Sequence, residues 1–555
     1  MPGNWRHLNN VLDTKEKIII FFLVAVLSFA FLFWMGVFYF HFTTPIADFG
    51  GTYKEGMLGQ PLYANPVFSQ TSEVDASLTQ LVYSGILKYD KTGNLVNDLA
   101  EKYEISEDKK KYTIYLKQGV LWHDGEMLTA DDIVFTVNVI KDPAYKSPLR
   151  QNWQGVEVKK IDEYSVEFLM EDQPYFRFLD SLTLGVLPKH VWENIAADRF
   201  LLTEYNLRPI GTGPFKFVDM QKDSNGNIIT YNLKSFADYF GGKAFINNFS
   251  FVFYSDEESL ISAYSKKEIN GINGVSPEKI SGIDLGKNTN VYEINVPRYF
   301  AVFLNKNKSV PLAEKEVRRA LRFGTSSQAV INTVLHEKAK CIDGPFLNES
   351  SKCHEGGYDI EKAKSILEES GWKVGDDGVR SRNDVRLRFN LLTIDWPELS
   401  NTAFELQNQW SALGAEVEVN VLSVSDLRQN YIRPREYDAI LVGQAISFNP
   451  DPYSFWHSSQ KKDPGFNFSM FENEEADEIL LETRKEFNTE KRNEKYNRLE
   501  EIIDEESPAV FLYTPMYLYV LNKQIQGIDF ENLNDVSHRF SDIEKWYIET
   551  KRVRK

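Results

Sequence analysis

The sequence predicts an α/β protein with two or three lobes, preceded by one transmembrane helix. Its 555 residues, 42% hydrophobic and 14% aromatic, suffice for a large core and exceed one ordinary domain. Strand-like and helix-like periodicities alternate along most of the chain. An uncharged apolar run near the N-terminus is long enough to cross a membrane. These three observations define the predicted class.

The membrane-spanning element is predicted from Ile18 to Phe40, a segment without any charged residue. As a helix it would reach about 35 Å, enough for a hydrocarbon layer of about 30 Å. Basic residues precede it at Arg6, Lys15 and Lys17. Their position favours a cytoplasmic location for the N-terminal residues 1–17. The bulk of the protein is therefore expected outside the cytoplasm, at the cell membrane.

An uncleaved anchor is favoured over a signal peptide. The apolar run exceeds the roughly 7 to 15 residues of a signal core, and residues 41–47 offer no clear small-residue cleavage site. A cleaved signal stays the alternative. No cysteine directly follows the run, so a lipid-modified cysteine is not the tether.

Net charge argues against one class of partner. A charge of -17 and a pI near 5.2 are unsuited to nucleic acid, which requires clustered Lys and Arg. The only basic run, residues 550–555, is interpreted as a solvated terminal segment.

The chain has two cysteines, Cys341 and Cys353, both in the exported part. An oxidising compartment favours a disulfide between them. Free thiols are one alternative, and a metal site that includes His354 is another. Two cysteines and one histidine lack a fourth ligand at zinc spacing, so we expect no metal and no cofactor.

Strands in the exported part are predicted from alternating apolar and polar residues at 111–116, 165–169 and 416–422. Helical periodicity runs from Asp359, a predicted cap, to Gly371.

A second helical region is predicted over residues 474–503, with a break near Asn488. The sequence contains no internal repeat and no long Pro/Gly linker, so short crossings are expected to join the lobes.

The block of residues 116–135 has an interpretable local structure. We predict a short strand up to His123, a tight turn at Asp124-Gly125, and a helix capped by Thr129. The strand, the turn and the capped helix explain these residues as structural elements, without any contact to a ligand. His123 and Asp124 are therefore not interpreted as a catalytic pair.

This block and Gly211-Thr-Gly-Pro-Phe215 together resemble the family 5 extracellular solute-binding proteins. Members of that family deliver peptides, and sometimes nickel or other solutes, to ABC importers; they include the dipeptide- and oligopeptide-binding proteins. The resemblance covers roughly residues 50 to 530 and continues in order through further blocks, at residues 81–87, 97–101, 187–190, 305–321, 344–345, 358–371 and 437–452.

The resemblance implies a periplasmic-binding-protein type II-like fold: two lobes around a hinged cleft, plus an extra α+β domain. By that likeness, lobe I comprises residues 41–73, 205–294 and 515–555. Residues 74–204 form the extra domain, and residues 295–514 form lobe II.

Gly211 and Gly213 are predicted to supply backbone conformations that other residues avoid, in a turn near the hinge. The sequence contains neither of the common glycine-rich phosphate-binding motifs, so phosphate binding is not expected.

Ligand specificity departs from the pattern of the peptide-binding relatives. In them, an aspartate shortly before an acidic-Pro step holds the α-amino group of the peptide. Aligning Pro452 with that proline places Phe448 at the position of the aspartate. A ring can offer a cation–π contact but cannot neutralise an ammonium group, so recognition of a free N-terminus is not implied. Asp451 is interpreted as a turn residue.

Candidate ligand contacts are aromatic and polar residues in segments that the resemblance places along the cleft. Aromatic walls with few charges suit extended ligands of varied side chain. Each residue could equally pack in a core, so we expect only a minority to touch ligand. The candidates are Phe68, Gln70, Trp153, Arg298, Tyr299, Phe448, Asn449 and Trp456.

The leading hypothesis is a monomeric, membrane-anchored receptor that captures oligopeptides or similar solutes for an ABC permease. It is not expected to be an enzyme. An extracytoplasmic hydrolase is one alternative: G-x-S-x-G and H-E-x-x-H are absent, but paired carboxylates remain available among 80 acidic residues. A sensor or scaffold on the same fold is the other.

Overall fold

The structure is a computed structural model that describes residues 13–171, 173–281, 285–347, 357–447, 449–529 and 532–555. Phe448, Cys353 and His354 lie outside the described residues.

A long apolar helix, α1 (Thr14–Phe42), precedes the globular part. Asp13 caps it in a capping box with Glu16, which satisfies backbone donors of the first turn. None of its residues is buried, and its most apolar stretch has a mean hydropathy of 2.8. By length and composition, α1 can cross a membrane, as residues 18–40 predicted.

The strands share the short lengths typical of mixed folds, apart from one of 14 residues. They are β1 (Thr43–Ala47), β2 (Thr52–Leu58), β3 (Leu87–Tyr89), β4 (Leu95–Asn97), β5 (Ala100–Ile105), β6 (Lys111–Leu116), β7 (Val156–Asp162), β8 (Ser165–Met170), β9 (Phe215–Lys222), β10 (Ile228–Ser235), β11 (Asn248–Tyr254), β12 (Gly271–Asn273), β13 (Thr289–Asn295), β14 (Arg298–Leu304), β15 (Ala339–Cys341), β16 (Lys373–Val374), β17 (Arg380–Arg382), β18 (Val385–Arg386), β19 (Arg388–Ile394), β20 (Glu416–Leu422), β21 (Ala439–Ala445), β22 (Ala509–Asn522) and β23 (Thr550–Arg554).

The helices after α1 lie mostly against the faces of the sheets. They are α2 (Glu73–Val82), α3 (Ala130–Lys141), α4 (Phe178–Ser181), α5 (Lys189–Trp192), α6 (Glu257–Ser265), α7 (Pro277–Ser281), α8 (Val310–Ala313), α9 (Lys315–Phe323), α10 (Ser327–Thr333), α11 (Ile360–Glu369), α12 (Pro397–Ser411), α13 (Val424–Asp426), α14 (Tyr453–Trp456), α15 (Glu474–Thr483) and α16 (Thr489–Glu506). A π-helical turn, Leu427–Ile432, follows α13.

Most local predictions are confirmed. Strands β6 and β20 have the predicted bounds, and β8 exceeds its prediction by one residue. Asp359 caps α11 by accepting a hydrogen bond from the N–H of Lys362, and Gly371 follows the helix with a φ of 89°. The predicted break near Asn488 separates α15 from α16. The short strand predicted before His123 is wrong, because this segment forms only one isolated bridge, Leu121 to Met127.

One sheet connects most of the globular part. Its strand order is β20-β19-β21-β14-β22-β12-β2-β11-β10-β9, and β13 and β15 also pair with β22. The long strand β22 pairs with β14 through its first half and with β12 and β13 through its second half. A separate antiparallel sheet, β5-β6-β8-β7, lies in the segment predicted as the extra domain.

Two large hydrophobic clusters occupy different parts of the chain. One contains buried residues from positions 53 to 296 and 517 to 546, and therefore unites the predicted extra domain with much of lobe I. The other contains buried residues from 299 to 513. A smaller cluster surrounds α6 and β12. The exact lobe boundaries stay predictions.

The basic segment 550–555 is largely exposed, as predicted, but it forms a paired strand and is not a free tail. Residues Thr550–Arg554 form β23, which pairs antiparallel with β1 immediately after α1. Thr43 lies opposite Arg554, and Ala47 opposite Thr550. Lys551 also forms an ion pair with Asp48 at 3.0 Å. Strand β23 is thus bound next to the C-terminal end of α1.

Candidate functional site

The candidate site lies where the chain passes between the two large clusters. It passes outward between β13 and β14 and returns through the middle of β22. The two crossings are neighbours, because Asn295 is opposite Met516 and Phe300 is opposite Tyr513. Two adjacent crossings of a few residues are the geometry of a hinge, since small φ/ψ changes there rotate one lobe against the other.

Polar side chains from both sides surround this hinge. We call Glu73, Asn273, Arg298, Glu398 and Tyr517 the hinge cluster. Asn273 ends β12, and its side-chain N–H donates to Glu73 Oε1 at 2.7 Å. Arg298 begins β14 and acts electrostatically on both Tyr517 and Glu398. The cluster therefore presents charges of both signs.

Burial and neighbouring charges shift the pKa of Glu398, which lies in the first turn of α12. Burial, followed by the charges of Glu257 and Glu278 across the hinge, raises its pKa, and Arg298 acts in the opposite direction. Glu257 and Glu278 belong to the first side of the hinge and Glu398 to the second, so carboxylate charges on the two sides act on each other.

Three buried atoms of the hinge cluster have no hydrogen-bond partner among the described residues: Asn273 Oδ1, Arg298 Nε and Tyr517 Oη. An unsatisfied buried polar group costs roughly 1–3 kcal/mol. Beside a cleft, such groups are the positions at which a ligand can supply the missing partner. The arrangement suits a polar ligand with both acceptors and donors.

A second set of contacts joins the predicted extra domain to the predicted lobe II. We call Tyr175, Phe176, Asp451, Arg484 and Arg492 the clasp. The hydroxyl of Tyr175 donates to Asp451 Oδ2 at 3.0 Å, and the N–H of Phe176 donates to the Arg484 carbonyl at 3.2 Å. The Arg492 guanidinium lies 4.2 Å from the centre of the Phe176 ring. These contacts join residues 175–176 to residues 451–492.

Arg484 organises the clasp on the lobe II side. Its Nε lies 3.0 Å from Asp451 Oδ2, and its guanidinium stands 4.8 Å from the Tyr175 ring and 4.6 Å from the Tyr453 ring. Burial, and then the negative charge of Asp451, raises the pKa of Tyr175. The phenol therefore keeps its proton and remains a hydrogen-bond donor.

Asp451 combines the predicted role with an unpredicted one. Its Oδ1 accepts from the N–H of Tyr453 at 3.2 Å, as expected of a turn residue before Pro452. Its Oδ2 meets Tyr175 and Arg484, and its side chain is only 8% exposed. The turn thus positions a carboxylate that joins two parts of the molecule.

Two of the eight candidate ligand contacts lie in these clusters. Arg298 belongs to the hinge cluster. Asn449 lies beside the clasp, where its Oδ1 accepts from Arg492 Nη2 at 3.1 Å. Gln70 is exposed and donates to the carbonyl of Pro66. A ligand contact for each stays a prediction.

Four of the other candidates are enclosed in hydrophobic clusters. Phe68 packs against Tyr63 and Phe200, and Trp153 against Phe168 and Phe178. Their packing satisfies the apolar surface that made these residues candidates.

Tyr299 and Trp456 lie in the second large cluster. Tyr299 is fully buried and donates its hydroxyl to Gln444 Oε1. Trp456 is 1% exposed and packs against Phe303 and Phe511. Neither presents surface to the hinge cluster or to the clasp in this structure. Phe448, the eighth candidate, lies outside the described residues.

The cysteine prediction stays untested. Cys341 ends β15, where it lies opposite Tyr513 next to the return crossing. Cys353 lies outside the described residues. Among the residues that the structure describes, no group of three or more His, Cys, Asp or Glu side chains could hold a metal ion.

The two motifs that identified the family resemblance contact each other. The N–H of Gly211 donates to His123 Nδ1 at 3.2 Å, so Nδ1 is unprotonated and Nε2–H donates to the Gly213 carbonyl at 3.0 Å. Burial lowers the pKa of His123 to about 4, which keeps the ring neutral. Asp124 instead contacts His190 at 2.9 Å. His123 is thus structural, as predicted.

Gly211 and Gly213 do not adopt the unusual backbone conformation that the sequence predicted for them. Neither glycine is among the residues with positive φ. A Cβ on Gly211 would lie 1.9 Å from the carbonyl oxygen of Val82, at the end of α2. Close backbone approach to the helix end, and not an unusual conformation, therefore requires glycine here.

The sequence interpretation missed most of the hinge cluster and the clasp. Tyr175 and Asp451 are 276 positions apart. Tyr175 belongs to no recognised motif, and Asp451, in the acidic-Pro step, was interpreted only as a turn residue. The basic and aromatic residues of 174–177 were the one available signal, because Arg and Tyr recur where two surfaces meet.

Comparison with known proteins supports the same architecture. Residues 94–466 match the profile of the family described as bacterial extracellular solute-binding proteins, family 5. The oligopeptide-binding protein AppA of Bacillus subtilis is 27% identical over 513 residues, 90% of this chain and 92% of that protein. The dipeptide-binding protein of Escherichia coli K12 is 26% identical over 520 residues, 87% and 93% of the two chains.

A solved structure of Bacillus subtilis AppA in complex with a nonapeptide is similar to this one, with a TM-score of 0.74 and 25% identity. The match covers 91% of this chain and 100% of that chain. The predicted fold class, an α/β type II periplasmic-binding-protein-like fold with an N-terminal apolar helix, is confirmed.

Proposed function

The chain belongs to the family 5 bacterial extracellular solute-binding proteins, and from that premise we propose that it captures peptides outside the cytoplasm for an ABC importer. The observation that carries this proposal is the hinge cluster. Carboxylates and a guanidinium from both sides of two adjacent crossings offer partners for the ammonium, carboxylate and amide groups of a peptide. The relatives named as oligopeptide- and dipeptide-binding proteins support the same ligand class.

The unpaired atoms suggest how a peptide would be held. Arg298 Nε is a donor that suits a peptide carbonyl or carboxylate, and Asn273 Oδ1 is an acceptor that suits a peptide N–H. Main-chain groups occur in every peptide, so contacts to them allow varied side chains. The ligand would be buried when the lobes close, which strengthens each of these hydrogen bonds.

The clasp is proposed to form on closure. Its contacts join residues 175–176 to residues 451–492, which the predicted boundaries assign to lobe II, and they include one charge-assisted hydrogen bond and two cation–π contacts. Closing the lobes would assemble them while the ligand is enclosed. The clasp therefore supports the closed form without touching the ligand.

We further propose that α1 is retained as a single-pass anchor, with the N-terminus inside and the binding domain outside. No linker separates the helix from the folded part, because β1 begins directly after α1 ends. The receptor would act as a monomer, and it would bind without changing its ligand chemically.

Ligand recovery tests the proposal. The full-length chain is purified in detergent, exchanged into fresh buffer and denatured, and the released small molecules are identified by mass spectrometry. Peptides are expected in the wild type and depleted in Arg298→Gln, with Arg388→Gln, at an exposed position of β19, as the matched control. Recovery of a non-peptide solute, or of no solute under conditions of peptide supply, would contradict it.

A further inference from the structure

The outer end of α1 and the basic strand β23 form a structure that peptide capture does not explain. We call the paired strands β1 and β23, with the last turns of α1, the collar. Its only described ion pair joins Lys551 to Asp48, so Arg552 and Arg554 have no carboxylate partner among the described residues. A protein with a net charge of -17 thus concentrates unpaired positive charge beside its apolar helix.

Arg552 fixes the strand to the helix. Its Nε donates to Thr43 Oγ1 at 2.9 Å, and its Nη2 donates to the carbonyls of Thr43 at 2.8 Å and Phe40 at 3.2 Å. Its guanidinium also lies 4.5 Å from the centre of the Phe40 ring. Cations at the C-terminal end of a helix interact favourably with its exposed carbonyls and dipole. Strand β23 is therefore attached firmly to the end of α1.

Arg554 is different, because its side chain is exposed and forms no hydrogen bond within the described residues. It lines a crevice of about 630 Å³ whose other walls are Thr43 and mainly apolar residues of the helix, including Leu32, Met35, Tyr39 and Phe42. Register places Arg554 opposite Thr43, at the level where the apolar helix ends. A guanidinium thus stands above an apolar crevice at the predicted membrane boundary.

We propose that the collar binds an anionic glycerophospholipid of the outer leaflet. Its acyl chain lies along the crevice of α1, and its phosphate contacts the guanidinium of Arg554. Arg552, two residues earlier in β23, adds positive potential. Charge complementarity carries this assignment: Arg pairs bidentately with phosphate, and the apolar walls match a hydrocarbon chain. The proposal rests on retention of α1 as an anchor.

The lipid would also orient the receptor. The acidic lobes are repelled by an anionic membrane surface, whereas the collar is attracted to it. Because no flexible linker follows α1, a collar held at the headgroups would keep the cleft at a fixed height and angle above the membrane.

The test measures lipid retention by the full-length chain. Wild type is reconstituted in nanodiscs of mixed phosphatidylcholine and phosphatidylglycerol, released, and examined by native mass spectrometry. Phosphatidylglycerol should be retained preferentially. Each arginine near an anionic surface changes affinity about fivefold, so Arg554→Gln should lose about that factor and Arg552→Gln/Arg554→Gln more.

The controls separate the possible outcomes. Lys222→Gln/Lys234→Gln removes two exposed charges from β9 and β10, far along the chain, and should retain lipid as wild type does. Arg554→Gln breaks no described contact, so its result does not depend on a misfolded collar. Equal retention of both lipids by wild type, or wild-type retention by Arg554→Gln, would overturn the lipid site.

Intact mass of the mature protein distinguishes this proposal from the others. Loss of α1 on maturation would overturn both the anchor and the lipid site, but not peptide capture. Absence of a bound peptide would overturn the peptide proposal and leave lipid retention unaffected.

Discussion

The Tyr175 hydroxyl provides a direct test of the clasp. Tyr175→Phe removes the hydrogen bond to Asp451 Oδ2 but preserves the ring that faces Arg484. A hydrogen bond to a charged group contributes about 1.5–3 kcal/mol. Asp451 keeps Arg484 at 3.0 Å, so the carboxylate is not left unpaired and the lower value applies. If the clasp forms only in the closed, liganded state, the dissociation constant should rise about tenfold.

Tyr453→Phe is the matched control. Its ring faces the same guanidinium at 4.6 Å, but its hydroxyl contacts Ser459 Oγ at 3.2 Å, within lobe II. Closure does not form that contact, so affinity should change less than about twofold. The assay is isothermal titration calorimetry with a resynthesised peptide recovered from the wild type, and thermal unfolding reports folding of each ligand-free variant.

Two results would refute the reasoning about the clasp. Equal losses of affinity in Tyr175→Phe and Tyr453→Phe would show that the shared contact to Arg484 matters and the cross-lobe hydrogen bond does not. An unchanged affinity in Tyr175→Phe, with a lower melting temperature of the ligand-free protein, would make the clasp a permanent structural contact.

Three further predictions concern the hinge, the core and pH. Arg298→Gln should weaken peptide binding about tenfold without lowering the melting temperature of the ligand-free protein, because it removes a donor that lacks a partner. Arg539→Met should destabilise by roughly 3–5 kcal/mol in urea unfolding, because it leaves the fully buried Glu55 carboxylate without a counter-ion, with only the hydroxyls of Tyr53 and Tyr519 donating to it. Burial, then Asp343 and Asp504, raises the pKa of Glu500 to about 7. Protonated Glu500 therefore favours the native state below its unfolded pKa near 4.5, and this stability is lost as pH rises through about 7. Glu500→Gln should gain stability relative to wild type at alkaline pH, on the order of 1 kcal/mol after allowance for its partial exposure.

Each of these predictions has its own control. For the hinge, Arg388→Gln should leave affinity unchanged, and equal effects of the two arginines would contradict a specific contact. For the core, Glu55→Gln/Arg539→Met should recover part of the stability lost in the single variant. For pH, a stability difference between Glu500→Gln and wild type that stays constant from acid to alkaline conditions would show that Glu500 does not titrate in this range.

Local sequence determined several elements because their signals are contained within a few neighbouring residues. An uncharged apolar run gives a membrane-length helix whatever follows it. Alternation specified β6 and β20, and the Asp359 cap with Gly371 bounded α11. The ordered motifs were also sufficient for the family, because their residues form the caps, turns and backbone contacts that the fold requires.

Only the tertiary structure decided which residues reach the cleft. An aromatic side chain gives the same sequence signal in a core as on a binding surface, and the fold enclosed Trp153, Tyr299 and Trp456 while leaving Arg298 at the hinge. The hydrogen bond between Tyr175 and Asp451 joins positions 276 apart, and Arg552 meets Thr43 across 509 positions. Such pairings follow from how whole lobes pack, so no local periodicity encodes them. Sequence therefore determined the elements and the family, and packing decided the hinge cluster, the clasp and the collar.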